Sequence, residues 1–168
     1  MKKVIILSTV KEISYNAFSE CDALLEVDIP DSVEIIGSAA FANCSSLCDV
    51  SMGKGVQSIG SGIFAGCDSL SDVSVSPNSK TFTCLDGVLY DADRTFLYEM
   101  LPGREKPYYI MPPSVSEMNQ YAFWGVKTLK HVSLSEKVTV IPAYAFSNAA
   151  GLVSVSMSFN AGEIEMKA

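Results

Sequence analysis

The chain is poor in basic residues and has no long apolar run. Its 168 residues include 12 Lys and Arg against 19 Asp and Glu, which gives a net charge of −7. Binding to a phosphate backbone needs clustered Lys and Arg, so this balance argues against nucleic acid as a partner. The aliphatic stretches are only a few residues long, such as Val4 to Leu7, whereas a membrane span needs about 20 apolar residues. We therefore expect no membrane insertion.

Catalytic and metal-binding motifs are also missing from the sequence. The only histidine is His131, and there is no H-E-x-x-H, no Gly-rich phosphate loop and no serine nucleophile elbow. The five cysteines are an odd number and include no C-x-x-C pair, so they match neither a disulfide framework nor a zinc site. We expect no catalysis, no cofactor and no bound metal.

What the chain does contain is a repeat of 23 residues. Phe18, Phe41 and Phe64 fall at this interval, and Phe123 and Phe146 resume it after an interruption. A fixed short period is typical of a solenoid, and apolar residues two apart indicate a strand. The columns of this strand are Leu24, Leu47, Leu70, Leu129 and Leu152; Val27, Val50, Val73, Val132 and Val155; and Ile29, Met52, Val75, Leu134 and Met157.

A second apolar pair follows a turn in each repeat, as Val33 and Ile36 follow Pro30-Asp31. This pair predicts an opposite wall of the same narrow core. The phenylalanines are then expected to stack along the solenoid.

The cysteines divide into two groups by their place in the repeat. Cys21, Cys44 and Cys67 share a column that continues as valine and alanine, so we interpret them as small buried apolar groups. Cys48 falls at an outward strand position and Cys84 in the interruption. These two are predicted to be the more reactive thiols.

The repeat pattern L-x-x-V-x-I-P-x-S-V-x-x-I-x-x-x-A-F-x-x-C, carried by residues 24–33 and 36–44, resembles the BspA-like, or Treponema pallidum type, leucine-rich repeats. The resemblance implies a mainly β, right-handed leucine-rich-repeat solenoid with a parallel strand sheet. It also implies a non-enzymatic protein-recognition module of a bacterial or protist surface or secreted protein, used in adhesion or in binding a host or matrix protein. The alternative is a structural spacer, or a self-associating repeat segment of a larger surface protein.

We predict one leucine-rich-repeat domain over residues 1–168, with an insert at about 76–110 and an irregular tail at 160–168. Alternating Val88 and Tyr90, then Phe96 and Tyr98, predict a β-hairpin in the insert.

The first residues lack the marks of a signal peptide, because Glu12 ends the apolar stretch and no cleavage site follows. Met1 falls in the leucine column, so the repeat opens in mid-pattern. We expect a fragment of a longer protein, or end-to-end self-association through an uncapped N-terminal coil.

The outward strand positions are the candidate protein-binding surface. Stacking of Glu26, Asp49 and Asp72 produces either a solvated acidic stripe, which we favour, or a cation site. His131 is predicted to be a solvated surface histidine. The full surface is Leu25, Glu26, Asp28, Asp49, Ser51, Asp72, Ser74, Lys130, His131, Ser133, Ser154 and Ser156.

Overall fold

The structure is a computed structural model that describes residues 2–159 and 162–166. These residues form short strands joined by turns, and they include no helix that is long and apolar enough to cross a membrane. The strands are β1 (Lys3–Ile5), β2 (Glu12–Ile13), β3 (Glu26–Ile29), β4 (Ile35–Ile36), β5 (Asp49–Met52), β6 (Ser58–Ile59), β7 (Ser74–Val75), β8 (Phe82–Leu85), β9 (Val88–Asp91), β10 (Phe96–Met100), β11 (Tyr108–Ile110), β12 (Glu117–Met118), β13 (His131–Leu134), β14 (Ser154–Phe159) and β15 (Gly162–Met166).

Among the described residues, the first wall of the solenoid consists of seven parallel strands, one for each coil. Coils 1 to 7 are numbered by these strands in chain order: β1, β3, β5, β7, β11, β13 and β14. The strands form two sheets, ordered β1-β3-β5-β7 and β11-β13-β14. Val27 pairs with Val50, and Val132 pairs with Val155, so each step along a sheet is one repeat. In β3 the side chains alternate between exposed and buried, as expected where one face packs on a core. The predicted parallel-strand solenoid is confirmed.

The second wall is a sheet of β2, β4 and β6, in which Ile13, Ile36 and Ile59 lie in register. Their side chains are buried opposite those of the first wall. The core between the two walls is therefore two rows of side chains wide, one row from each wall. The strand columns and the second apolar pair of the repeat predict this arrangement.

Phenylalanine rings stack along this core. The centroids of Phe18 and Phe41 are 5.3 Å apart, and those of Phe41 and Phe64 are 5.7 Å apart. Beyond the insert, Phe123 and Phe146 resume the stack at 4.8 Å. The predicted aromatic stack is confirmed on both sides of the insert, and the rings bury large apolar areas.

The insert is a three-stranded antiparallel meander, whereas the sequence pattern predicts a two-stranded hairpin. Strands β8, β9 and β10 pair in chain order. The additional strand β8 is joined to β9 by Asp86-Gly87, with φ of +56° and +70°. Asp-Gly is a frequent two-residue hairpin turn because both residues tolerate positive φ.

The last strand of the meander takes the place of a repeat strand. Strand β10 pairs in parallel with β12, with Leu97 opposite Met118. It thus supplies the second wall of coil 4, whose first wall is β7. The insert completes a coil of the solenoid and is more than an addition to its surface.

The insert also lies between two parts of the hydrophobic core. Strand β9 is buried on both faces: Leu89 packs with the residues of coils 1–4, while Val88 and Tyr90 pack with those of coils 5–7. The two parts are therefore joined through a shared strand.

Glu99 of β10 replaces a missing backbone acceptor. In coil 2 the Phe41 N–H donates to the Ile63 carbonyl oxygen of coil 3, at 2.9 Å. The equivalent Phe64 N–H of coil 3 donates to Glu99 Oε2, at 3.2 Å. A side chain thus satisfies a backbone donor that would otherwise be buried without a partner.

Burial makes Glu99 an unusual acid. Its side chain is 3% exposed, and Oε1 has no hydrogen-bond partner. Removal from water raises the pKa of Glu99 to about 8, although the bonds from the Phe64 and Ile63 backbones oppose this shift. Glu99 is therefore largely protonated at neutral pH.

The end of the chain differs from the predicted irregular tail. Residues 162–166 form β15, which pairs antiparallel with β14. The pairing satisfies backbone groups along the edge of β14. This requirement determines the structure of the segment more strongly than its polar composition does. Met1 and residues 160, 161, 167 and 168 lie outside the described residues.

The cysteine column is part of the packing. Cys44 and Cys67 are fully buried, and their thiols donate to the carbonyl oxygens of Phe18 and Phe41 in the preceding coils, both at 3.1 Å. Contact with the Cys44 thiol and burial both raise the pKa of Cys67. The prediction of buried structural thiols is confirmed for these two, and Cys21 is half-buried.

Of the two thiols predicted to be reactive, only Cys48 is exposed. Cys84 is half-buried and its Sγ lies 3.3 Å from Asp72 Oδ1. Burial raises the pKa of Cys84 to about 12, so its thiol is protonated at neutral pH. The packing of Cys84 against the core of coils 1–4 disfavours the reactivity predicted for it.

Replacement of Glu99 by glutamine should remove a pH dependence of stability. The pKa of Glu99 is raised in the folded state, so the wild-type chain loses stability as pH rises from the unfolded pKa, near 4.5, through about 8. We expect Glu99→Gln to lose about 4 kcal/mol less than wild type between pH 5 and 9. Urea unfolding at several pH values measures the difference. The control Glu117→Gln changes an exposed residue in the neighbouring strand β12; equal slopes for all three proteins would contradict the assignment.

Alkylation should distinguish the exposed thiol of Cys48 from three more buried ones. We expect iodoacetamide at neutral pH to modify Cys48 first, because it is exposed, and to leave Cys44, Cys67 and Cys84 unmodified until the chain unfolds. Peptide mass spectrometry follows each site, and Cys48→Ser should abolish the fast phase. Comparable rates at Cys44 and Cys48 would contradict the buried column.

Candidate functional site

The predicted acidic stripe lies on the outer face of the first wall. Lys3 pairs with Glu26 and Glu26 pairs with Asp49 in the strand register. The Lys3 ammonium lies 3.1 Å from the Glu26 carboxylate, and both side chains are at least half exposed. An exposed pair of this kind contributes about 0–1 kcal/mol. The stripe is therefore a solvated row with one cation at its first coil.

A second outward row runs beside the stripe. Asp28, Ser51 and Ser74 face one another across β3, β5 and β7. The Ser51 hydroxyl donates to the Asp28 carboxylate. The two rows give coils 2–4 an acidic outer face.

The acidic residues do not converge on a cation site. Within residues 2–159 and 162–166, no group of three or more His, Cys, Asp or Glu side chains is arranged to hold a metal ion. Neighbouring strands are about 4.8 Å apart, which spreads one carboxylate per coil along the face.

The outer face of coils 5–7 has a different chemistry. The ring of His131 stacks on Tyr108, with centroids 5.0 Å apart and an angle of 12° between the planes. His131 Nδ1 lies 2.9 Å from Ser154 Oγ. His131 is thus half-buried between two neighbours in its row, whereas the sequence predicts a freely solvated histidine; the Tyr108 ring covers one side of it.

Tyr108 and Ile110 belong to this face and are absent from the predicted surface. They are 65% and 80% exposed and pair with His131 and Ser133. Each stands one repeat before its partner, so the repeat spacing contains the signal that identifies them. Ser133 also pairs with Ser156 of the last coil.

Leu25 and Lys130 of the predicted surface lie just before strands. The Leu25 carbonyl oxygen accepts from the Cys48 N–H at 3.1 Å, and that of Lys130 accepts from the Val153 N–H at 2.8 Å. Their backbones extend the ladder between coils. Leu25 is half-buried and the Lys130 side chain is exposed.

A cleft separates the acidic half from the aromatic half. Among the described strands, β7 and β11 do not pair with each other. A cavity of about 790 Å³ opens beside them, and Asp72, Asp86, Arg104 and Lys106 contribute to its lining. The candidate surface is therefore two adjoining areas, with Glu26, Asp49 and Asp72 in one and Lys130, His131 and Ser154 in the other.

Arg104 holds the insert at this cleft. Its side chain is 5% exposed, and its guanidinium donates to the Asp86 carbonyl oxygen at 2.8 Å and to the Asp86 carboxylate at 3.0 Å. It also donates to the Lys106 carbonyl oxygen at 2.9 Å. The Lys106 ammonium and then Arg104 lower the pKa of Asp86, so these charges are matched within the protein.

Comparison with known proteins identifies the repeat. A family model described as BspA type leucine-rich repeat region matches residues 1–84 and 107–168, in six copies. No curated protein matches the chain by sequence.

Three solved structures share the fold. The pneumococcal vaccine antigen PcpA superposes with a TM-score of 0.70 and 25% identity over 87% of this chain. A leucine-rich cell surface protein of Faecalibacterium prausnitzii gives 0.62 and 21% over 96%, and the leucine-rich repeat protein of T. pallidum gives 0.58 and 22% over 91%. The aligned regions span 42%, 61% and 68% of those chains, respectively.

The segments that the family model matches are the segments that form the coils. The two matched segments contain the first-wall strands of all seven coils, and the unmatched residues between them contain β9, β10 and Arg104. The chain belongs to the BspA-type leucine-rich repeat family.

Proposed function

We propose that the outer face of the first wall is a non-enzymatic recognition surface for another protein. The observation that carries this proposal is the fixed register of its outward side chains, which sets an acidic area beside the stacked Tyr108–His131 pair. Solenoids use extended faces of this kind for binding. Exposed tyrosine is also among the residues enriched at the centres of protein interfaces.

The charge of the face favours a partner with a basic surface. Four of the predicted residues in coils 2–4 are carboxylates, and Lys3 is paired with only one of them. Complementary charge mainly raises the rate of association and selects the partner, so we expect binding to weaken at high salt. Tyr108 and Ile110 then offer apolar contact area next to the acidic residues.

We further propose that this protein is exposed at a bacterial or protist cell surface, or secreted, and that the partner is a host or matrix protein. The names of two structural neighbours, a cell surface protein and a vaccine antigen, are consistent with such a location. An alternative is that the chain is a spacer in a larger surface protein. Strand β1, which among the described strands pairs with β3 alone, favours end-to-end association in that case.

Charge reversal on the face should weaken binding. We expect the triple variant Glu26→Lys, Asp49→Lys, Asp72→Lys to bind an immobilised matrix protein at least about tenfold more weakly than wild type. Surface plasmon resonance against a panel of extracellular matrix proteins provides the measurement, at low and at high salt.

The matched control is Glu12→Lys, Glu34→Lys, Glu117→Lys, beside the second wall. It changes the net charge equally and also breaks one exposed pair, since Glu34 lies 2.8 Å from Lys11. We expect this control to bind like wild type. Equal loss in both variants would contradict recognition by the face, and a wild-type chain that binds no member of the panel would favour the spacer.

A further inference from the structure

The loop that follows the second-wall strand of a coil and carries its stacked phenylalanine has a regular backbone, and we call it the corner loop. Each complete corner loop contains two left-handed residues four positions apart, as at Gly62 and Gly66, with φ of +61° and +77°. The two columns are Asn16, Ala39, Gly62, Tyr121 and Tyr144, and Glu20, Asn43, Gly66, Gly125 and Asn148.

Coil 4 has no such corner loop, because its second wall comes from β10. As a result, the corner loops of coils 3 and 5 meet directly. Ser61 Oγ donates to Asn119 Oδ1 at 2.8 Å. A Cβ placed on Gly62 would lie 3.6 Å from the Tyr121 Cβ. The corner loop of coil 5 therefore packs against that of coil 3 and forms one wall of a depression.

We name this depression the aromatic cleft: a cavity of about 390 Å³ between Tyr15 on one side and Tyr121 and Trp124 on the other. Its volume lies within the roughly 300–1,000 Å³ of typical ligand pockets. Tyr15 is 70% exposed, so its ring is available for contact. The floor consists of the small residues Ser38, Ala39, Ala42, Ser61, Gly62 and Ala65.

The polar groups of the aromatic cleft are all uncharged among the residues that the structure describes. Asn43 and Gln120 carry amides, and Ser38 and Ser61 carry hydroxyls. These groups both donate and accept hydrogen bonds. A lining of this kind disfavours phosphate ligands, which need a charged partner.

A second cavity, of about 340 Å³, continues on the other side of Trp124. Asn43 and Trp124 line both cavities, and the second adds Asp22, Ser45, Asp68, Lys127 and Asn148. The Lys127 ammonium pairs with the Asp68 carboxylate at 2.7 Å, and the Asp22 carboxylate accepts from the Ser45 hydroxyl at 3.1 Å, so these charges already have partners within the protein. A ligand that passes Trp124 therefore meets aromatic faces first and hydrogen-bonding groups next. An elongated ligand fits these two consecutive cavities better than a single small ring does.

We propose that the aromatic cleft binds a neutral oligosaccharide, with one sugar ring between Tyr15 and Tyr121 and the next beyond Trp124. Sugar rings present apolar C–H faces to aromatic side chains, and their hydroxyls donate and accept as the lining amides do. A proline-rich peptide also docks on aromatic grooves, but the polar second cavity offers it few apolar contacts. This site is separate from the strand face and does not depend on the function proposed for it.

Trp124 makes the test specific to the aromatic cleft, because it is the only tryptophan of the chain. A glycan array probed with the full chain selects the neutral tetrasaccharide that binds best, and that sugar is then titrated while the Trp124 emission is followed. We expect a saturable change in emission, and affinity about tenfold weaker for Tyr121→Gly.

Tyr108→Ala is the matched control for Tyr15→Ala. Tyr108 is 65% exposed against 70% for Tyr15, lies on the strand face and does not line the cleft. Tyr144 does not serve as a control, because its ring stacks on that of Tyr121 with centroids 5.4 Å apart. Glycine adopts positive φ without strain, so Tyr121→Gly should remain folded. Tyr15→Ala removes an exposed wall residue and should weaken binding about threefold without loss of packing.

Three results would overturn the proposal. One is the absence of any neutral glycan on the array that binds the chain. Another is an equal loss of affinity in Tyr15→Ala and Tyr108→Ala. The third is a polyproline decamer that changes the Trp124 emission while the tetrasaccharide does not, since the cleft would then be a peptide site.

Discussion

The hydrogen bonds between successive coils are the interaction on which the rest of the structure depends. Backbone N–H groups of one coil donate to carbonyl oxygens of its neighbour, and the constant repeat length keeps equivalent residues opposite each other, as in Val27 and Val50. The stacked phenylalanines and the thiol–carbonyl bonds of Cys44 and Cys67 follow from the same register. A coil that departs from the repeat must still supply partners to both neighbours, because unpaired buried donors are costly.

The insert meets this requirement and, in doing so, shapes the surface. Strand β10 pairs with β12, and Glu99 accepts from Phe64 where coil 3 would otherwise lack an acceptor. The same substitution leaves β7 and β11 unpaired with each other and removes one corner loop. The division of the strand face and the aromatic cleft therefore have one structural origin, in coil 4. Both proposed sites extend across the interruption of the repeat.

Much of the fold could be predicted from the sequence because the repeat constrains many residues at once. The columns place Val27, Ile36 and Cys44 inside, and the structure buries all three. Tyr108 could have been placed on the face by the same spacing. The role of Glu99 as a hydrogen-bond acceptor could not have been predicted, because it depends on which backbone carbonyl of coil 4 is absent. The aromatic cleft could not have been predicted from the sequence either. Gly62 and Tyr121 are distant in the chain, and they meet only because coil 4 lacks a corner loop.

Native-state hydrogen exchange tests most directly whether the insert makes the seven coils one continuous body. Amides of β5 and of β13 lie on opposite sides of the insert and report on the two parts of the core. As denaturant is raised below the unfolding transition, we expect both sets of amides to converge on a single opening free energy, equal to that of global unfolding. Convergence on two distinct free energies would contradict the account, because the coils before and after the insert would then unfold independently.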